Sequence, residues 1–126
     1  MPPPHGLIIH EHWLNKILEG SKTWELRGRN TKIRGKIALI QSGSGKIHGT
    51  CALVDALGPL SLDELMANVT KHQVPREYMG NVTKRYKKVY AWVMRDAEHL
   101  SKPIPYDHPK GAVVWVRVGD DFKRTF

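Results

Sequence analysis

Gly20-Ser21-Lys22-Thr23-Trp24-Glu25-Leu26-Arg27 joins two different periodicities, and the change between them decides how the chain is read. Upstream, Trp13, Leu14, Ile17 and Leu18 form an apolar stripe at helical spacing, with Asn15, Lys16 and Glu19 on the other side. This pattern predicts a short amphipathic helix over Glu11 to Glu19, stopped by Gly20 at the C′ position. From Thr23 onward polar and apolar residues alternate, as in a half-buried strand. Thr23, Glu25 and Arg27 then share one face, while Trp24 and Leu26 point to the core. The carboxylate and the guanidinium emerge side by side, and Lys22 sits at the open end of the strand beside Gly20. Lys22 therefore reads as the ligand-contacting cation and Arg27, further along, as the more structural one. Three charged groups in the form G-x-K-x-x-E-x-R can pair with one another and still leave donors for an anionic or polar ligand. The same spacing also fits a surface ion-pair cluster of little energetic worth.

Working outward, Pro2-Pro3-Pro4 is an extended lead into a strand over Gly6 to His10. A polar, basic loop from Gly28 to Gly35 precedes strands at Lys36–Gln41 and Gly49–Leu57, joined across Ser42-Gly43-Ser44-Gly45 as a hairpin. Ser61 and Glu64 have capping-box spacing and open a second helix that runs to Val69 or Lys71. The stretch from His72 to Lys88 is polar, basic and weakly periodic, with Pro75 where a helix could open. Two further strands, Val89–Met94 and Gly111–Val118, are separated by a proline-rich link, Lys102 to Tyr106. Five or six strands with two or three short helices predict an α+β fold in which a mixed sheet curls toward a small barrel. One domain is expected over residues 1–126, with a core of about 6–118 and flexible ends.

Charge is the strongest bulk signal. Among 126 residues, 20 Lys and Arg stand against 12 Asp and Glu, a net charge of +8. Such a surface attracts polyanions, and the cations are grouped. Arg27, Arg29, Lys32, Arg34 and Lys36 fall in one stretch, and Lys84, Arg85, Lys87 and Lys88 in another. Grouping favours a binding face over a merely solvated one. No apolar run approaches the roughly 20 residues of a bilayer span. The N-terminus lacks the basic and apolar regions of a secretory signal, so a cytoplasmic location is expected. Cys51 lies in the apolar run Thr50–Val54 and reads as a buried small hydrophobe.

The chain as a whole resembles the ASCH domain, a branch of the PUA-like superfamily. The G-x-K-x-x-E-x-R segment matches that family's signature. The preceding helix, Gly35–Ser42, Gly49–Asp55 and the run from Tyr90 through Tyr106 to Gly111 extend the match. The resemblance implies a PUA-like barrel with a cleft beside the signature, where single-stranded RNA or a nucleotide binds. Lys22, Glu25 and Arg27 carry over by position, Arg29 and Arg34 flank them as RNA contacts, and Ser42, Tyr106 and Lys110 carry over at turns and ends. Some relatives are N4-acetylcytidine amidohydrolases and others are metal-dependent ribonucleases. The amidohydrolase pattern uses the motif lysine, a threonine three residues later and a distant glutamate. Here Glu25 occupies the threonine position, Thr23 lies one residue after Lys22, and His72-Gln73-Val74 stands on the glutamate side, with Glu64 and Glu77 displaced. Were the chain an enzyme, Lys22 and Glu25 would be its catalytic groups.

Other motifs fail on inspection. Ser42-Gly43-Ser44-Gly45-Lys46 suggests a phosphate loop, yet Ile47 stands where magnesium binding needs Ser or Thr. The segment reads as a hairpin turn, with phosphate contact through its backbone amides as the alternative. His10 and His12 lack the spacing of a helical zinc pair, and no metal site is expected. Trp92 and Trp115 lie in apolar strand runs and read as core, whereas Tyr90 and Tyr106 could stack on bases. The leading expectation is a domain that binds RNA or a nucleotide, without membrane or cofactor. The rivals are a hydrolase on the same scaffold, needing a divalent metal only as a ribonuclease, and a protein-interaction adaptor.

Overall fold

A computed structural model describes residues 3–119; Met1-Pro2 and the chain from residue 120, on which part of the expected flexible ends falls, lie outside the described residues. The order is β1 (His5–Ile9), α1 (Glu11–Glu19), β2 (Trp24–Arg27), β3 (Gly35–Gln41), β4 (Lys46–Leu57), α2 (Leu62–Ala67), α3 (Val69–His72), a 3-10 turn (Arg76–Tyr78), α4 (Met79–Arg85), β5 (Tyr90–Pro105) and β6 (Trp115–Arg117). The six strands form one mixed sheet in the order β2-β5-β4-β3-β1-β6, in which only β1 and β3 run parallel. This is the α+β architecture read from the sequence.

The sheet curls because β4 and β5 are bulged against each other, with register shifts at Ile47/Gly49, Thr50/Ala52 and Leu53/Asp55. Each bulge adds twist and bends the strand. The two margins consequently approach. Arg27 on the β2 margin donates to the Ile8 carbonyl of β1 at 3.0 Å. Trp92, paired beside β2, stacks on Trp115 of the β6 margin with ring centroids 5.6 Å apart. Side chains rather than a hydrogen-bonded ladder therefore close the half-barrel.

β1 and β3 bury both faces, which is why their sequences read as unbroken apolar runs. Leu7, Ile9, Ile37 and Leu39 join Leu14 and Ile17 of α1 in one cluster, while Ile8, Ala38 and Ile40 join Ile47, Ile104 and Val116 in another. A third cluster sets Trp24 and Leu26 against Leu65, Val74 and Met79 of the helical segment. Cys51 lies in the first cluster, and burial pushes its thiol up to about 12.

Several elements differ from the sequence reading. β5 continues through the expected proline-rich link to Pro105, because β2 pairs only with Tyr90–Val93. Beyond that point one edge of β5 is open, so a proline without an N–H costs no ladder bond there. The expected strand from Gly111 narrows to Trp115–Arg117, since Gly111 (φ 85°) and the Ala112 N–H bond to the Pro109 carbonyl form a turn. The capping box of Ser61 and Glu64 is present, but the helix it opens breaks at Asn68, whose side-chain amide donates to the Glu64 carbonyl. Pro75 opens a 3-10 turn, and α4 follows it.

Candidate nucleic-acid site

α1 ends where predicted: Gly20 adopts a left-handed conformation (φ 89°) and its N–H caps the Ile17 carbonyl. The chain reverses there and delivers Lys22 inward rather than to an open strand end, leaving the residue only 2 % exposed. Its Nζ donates to the His72 carbonyl at 2.6 Å, stands 3.5 Å from Glu25 Oε1 and lies 4.7 Å from the centre of the Trp13 ring. An ammonium has three donors, and these three neighbours match that number. Burial lowers the Lys22 pKa, and the Glu25 carboxylate opposes that shift.

Glu25 and Arg27 share a face of β2 as the alternation predicts, but the face is covered. Glu25 is buried, and its Oε2 accepts from Arg27 Nε at 3.0 Å and Nη2 at 2.8 Å. The same Nη2 reaches the Ile8 carbonyl, and the guanidinium carbon lies 5.5 Å from the Trp92 ring centre. Among the described residues, Nη1 of Arg27 makes no hydrogen bond. The Arg27 side chain keeps 17 % of its surface exposed, against 1 % for Lys22. The expected order of the two cations is thus inverted: Lys22 is the more enclosed, and Arg27 the one within reach of solvent.

His72 occupies the region where the amidohydrolase pattern needs a glutamate. Its Nδ1 accepts from the Val74 N–H at 3.0 Å, so the proton resides on Nε2, which donates to the Leu65 carbonyl at 2.7 Å. Burial lowers its pKa, and both nitrogens are occupied. A hydroxyl nucleophile needs a base within hydrogen-bond reach; neither His72 nor Glu25 is free to be one. Among the described residues no group of three or more His, Cys, Asp or Glu stands close enough to hold a metal ion.

The remaining candidates are distributed around the fold. Arg29 is exposed, and its carbonyl accepts from Trp92 Nε1 at 2.9 Å, which pins the start of the basic loop over the indole. Arg34 is exposed but partly committed, through Nη1 to the Thr31 and Ile33 carbonyls and at 3.9 Å to Asp55. Ser42 lies on the exposed hairpin turn, where its N–H donates to the Ile9 carbonyl. Tyr106 belongs to the cluster around Ile104 and Val116, and its hydroxyl meets His108 Nδ1 at 2.7 Å. Lys110 is exposed on the turn before Gly111. Among the described residues, no hydrogen bond or ion pair joins Ser42, Tyr106 or Lys110 to the Lys22–Glu25–Arg27 cluster. A hollow of about 150 Å³ lies beside Lys22, lined by Ile17, Thr23, Met94 and Ala97.

The sequence reading lacked three partners of the cluster: the Trp13 ring, the His72 carbonyl and the stack of Trp92 on Trp115. Trp92 is buried as expected, and Trp115 is partly buried, packed against the first cluster at the margin.

A family model described as the ASCH domain matches residues 7–104. The chain belongs to the ASCH domain family. Its fold is also that of solved ASCH structures. The ASCH protein from Zymomonas mobilis aligns with a TM-score of 0.73 at 16% identity, over 96% of this chain and 92% of that one. Two mutant structures of the same protein align with TM-scores of 0.75 and 0.72, each at 14% identity, covering 96% and 99% of this chain and 94% and 96% of theirs. No curated protein matches. At these identities the structural likeness concerns the fold, and the half-barrel is a small PUA-like ASCH fold. Among the described residues, no helix is long and apolar enough to cross a membrane.

Proposed function

We propose that this ASCH domain binds single-stranded RNA, engaging one nucleotide at the seam between the β2 margin and the β1–β6 margin. The observation that carries this reading is the presentation of Arg27. Its guanidinium is fixed by Glu25 and the Ile8 carbonyl against Trp92, while Nη1 makes no hydrogen bond among the described residues. A fork held in this way loses little side-chain freedom on meeting a phosphate oxygen or a base edge. The partly buried Trp115 adds an aromatic edge to the same seam. Splayed bases fit such a seam better than an A-form duplex does.

The hydrogen bonds already made within the protein support binding over hydrolysis. Lys22, Glu25 and His72 occupy or neighbour the positions of the amidohydrolase pattern, and each is engaged by its neighbours. A ligand reaching Lys22 would first have to displace the His72 carbonyl. A cytoplasmic location, where single-stranded RNA is available, goes with this reading.

Fluorescence polarisation with a labelled single-stranded oligonucleotide tests it, with duplex RNA as the comparison. Arg27→Ala should lose selective binding, and Arg27→Lys, which keeps the charge without the fork, should recover only part of it. Thermal melts of both variants identify any loss due to unfolding. A folded Arg27→Ala protein with wild-type affinity and selectivity would refute the assignment.

A further inference from the structure

We infer that a second surface, outside the seam, carries the sugar-phosphate backbone of a longer strand, so that the partner is a polymer several nucleotides long rather than a free nucleotide. The inference rests on the RNA reading above and extends it.

The antiparallel pairing of β2 with β5 fixes the geometry. Arg27 pairs with Tyr90, so the residues leaving β2 and the residues entering β5 lie at the same end of the sheet. The first set is the loop with Arg29, Lys32 and Arg34, running to Lys36 at the start of β3; the second is the end of α4 and its exit, with Lys84, Arg85, Lys87 and Lys88. Two basic stretches more than 45 residues apart in sequence thus become neighbours. Their contact is close. A Cβ placed on Gly28 would stand 2.6 Å from the Tyr86 ring, so the loop packs flat on the tyrosine between the lysines of the second stretch.

All eight of these cations are exposed, and neither stretch contains a carboxylate. Asp55, at 3.9 Å from Arg34, is the acid whose contact with this group is resolved among the described residues. So dense a charge, paired with an acid at Arg34, repels itself and is relieved by a polyanion. The face is also continuous with the seam, because Trp92 holds the Arg29 carbonyl one turn of chain beyond Arg27. A strand anchored at Arg27 therefore passes onto Arg29 and Lys32 and meets Lys87 and Lys88 across Tyr86. The apolar groups interspersed among these cations, Ile33 and Tyr86, are packed against the core clusters, and exposed lysines and arginines of this kind suit phosphates, which need charge and tolerate mobility, better than a folded acidic protein, whose interface would need a packed centre.

The test uses the full chain and two labelled single-stranded RNAs, a trinucleotide and one of about 15 nucleotides, long enough to span a binding groove. Affinities are measured across a salt series for the wild type, for Lys87→Glu/Lys88→Glu and for Arg27→Ala, with polyglutamate as competitor. The paired reversal should leave the melt and trinucleotide binding unchanged. It should weaken binding of the longer strand and flatten its salt slope by about 0.7 for each phosphate that is no longer neutralised. Arg27→Ala should weaken both RNAs. A paired variant with the wild-type slope on the longer strand would overturn this surface while leaving the seam reading intact. If Arg27→Ala changed neither RNA while the paired variant bound the longer one poorly, the seam reading would fail and the basic surface would stand. Displacement of RNA by polyglutamate at equal charge would overturn the choice of a nucleic acid as partner.

Discussion

Replacing Lys22 is the perturbation that most sharply separates a buried structural cation from an exposed functional one. In Lys22→Ala the His72 carbonyl loses a charged donor at 2.6 Å, the Glu25 carboxylate loses one of two cations, and the deleted side chain adds to the hollow of about 150 Å³ beside it. A hydrogen bond to a charged group contributes about 1.5–3 kcal/mol. Breaking a fully buried pair costs about 3–5 kcal/mol. Because Arg27 still neutralises Glu25, the lower part of that range applies, and a loss of about 2–4 kcal/mol is expected. For a chain of this size each kcal/mol moves the melting temperature by about 4 °C, so the shift should be about 8–16 °C downward. Lys22→Met, which restores the packing without the charge, should recover part of it. Differential scanning fluorimetry with urea titration measures both. A Lys22→Ala protein melting within about 2 °C of wild type, the range of an exposed substitution, would show that the ammonium is not held as described.

Acid should destabilise the fold through two histidines, the buried His72 and the half-buried His48. His72 and His48 both have pKa values lowered from 6.5, chiefly by burial, so the unfolded chain takes up protons first as the pH falls. Their stabilising contribution is complete above 6.5 and is lost as the pH falls through their folded-state values. Urea midpoints between pH 7 and 5 should decline, and the slope should be shallower in His72→Gln; an equal slope would place the titration elsewhere. Gly28→Ala should destabilise by about 1–3 kcal/mol through overpacking, because its Cβ would stand 2.6 Å from Tyr86. Tyr86→Leu in the same chain should relieve that strain, and additivity in the double variant would show that the two do not touch.

The features legible in the sequence are those whose causes are local. The α1 stripe and Gly20 are set within ten residues, the capping box of Ser61 and Glu64 within four, and the β2 alternation by neighbouring side chains. The burial of Lys22 was not legible, because its cause is a carbonyl 50 residues away that α3 brings across the strand. Alternation places Glu25 opposite Trp24 but is silent on whether that polar face meets water or Arg27 and Trp92. The length of β5 escaped for a similar reason. Pro103 and Pro105 punctuate a chain wherever both edges need N–H groups, and only the shortness of β2 leaves one edge of β5 free.

Closure of the half-barrel by Arg27 and the Trp92–Trp115 stack has a consequence for how its aperture is set. Strands in a ladder are held about 4.8 Å apart whatever side chains they carry. Across the seam no such spacing is imposed, and the gap is as wide as the groups that bridge it. A smaller aromatic at residue 115, or a shorter cation at residue 27, would narrow or widen the opening without breaking any strand pairing. The mouth of the domain is thus adjustable by single substitutions, while the sheet that frames it keeps its register.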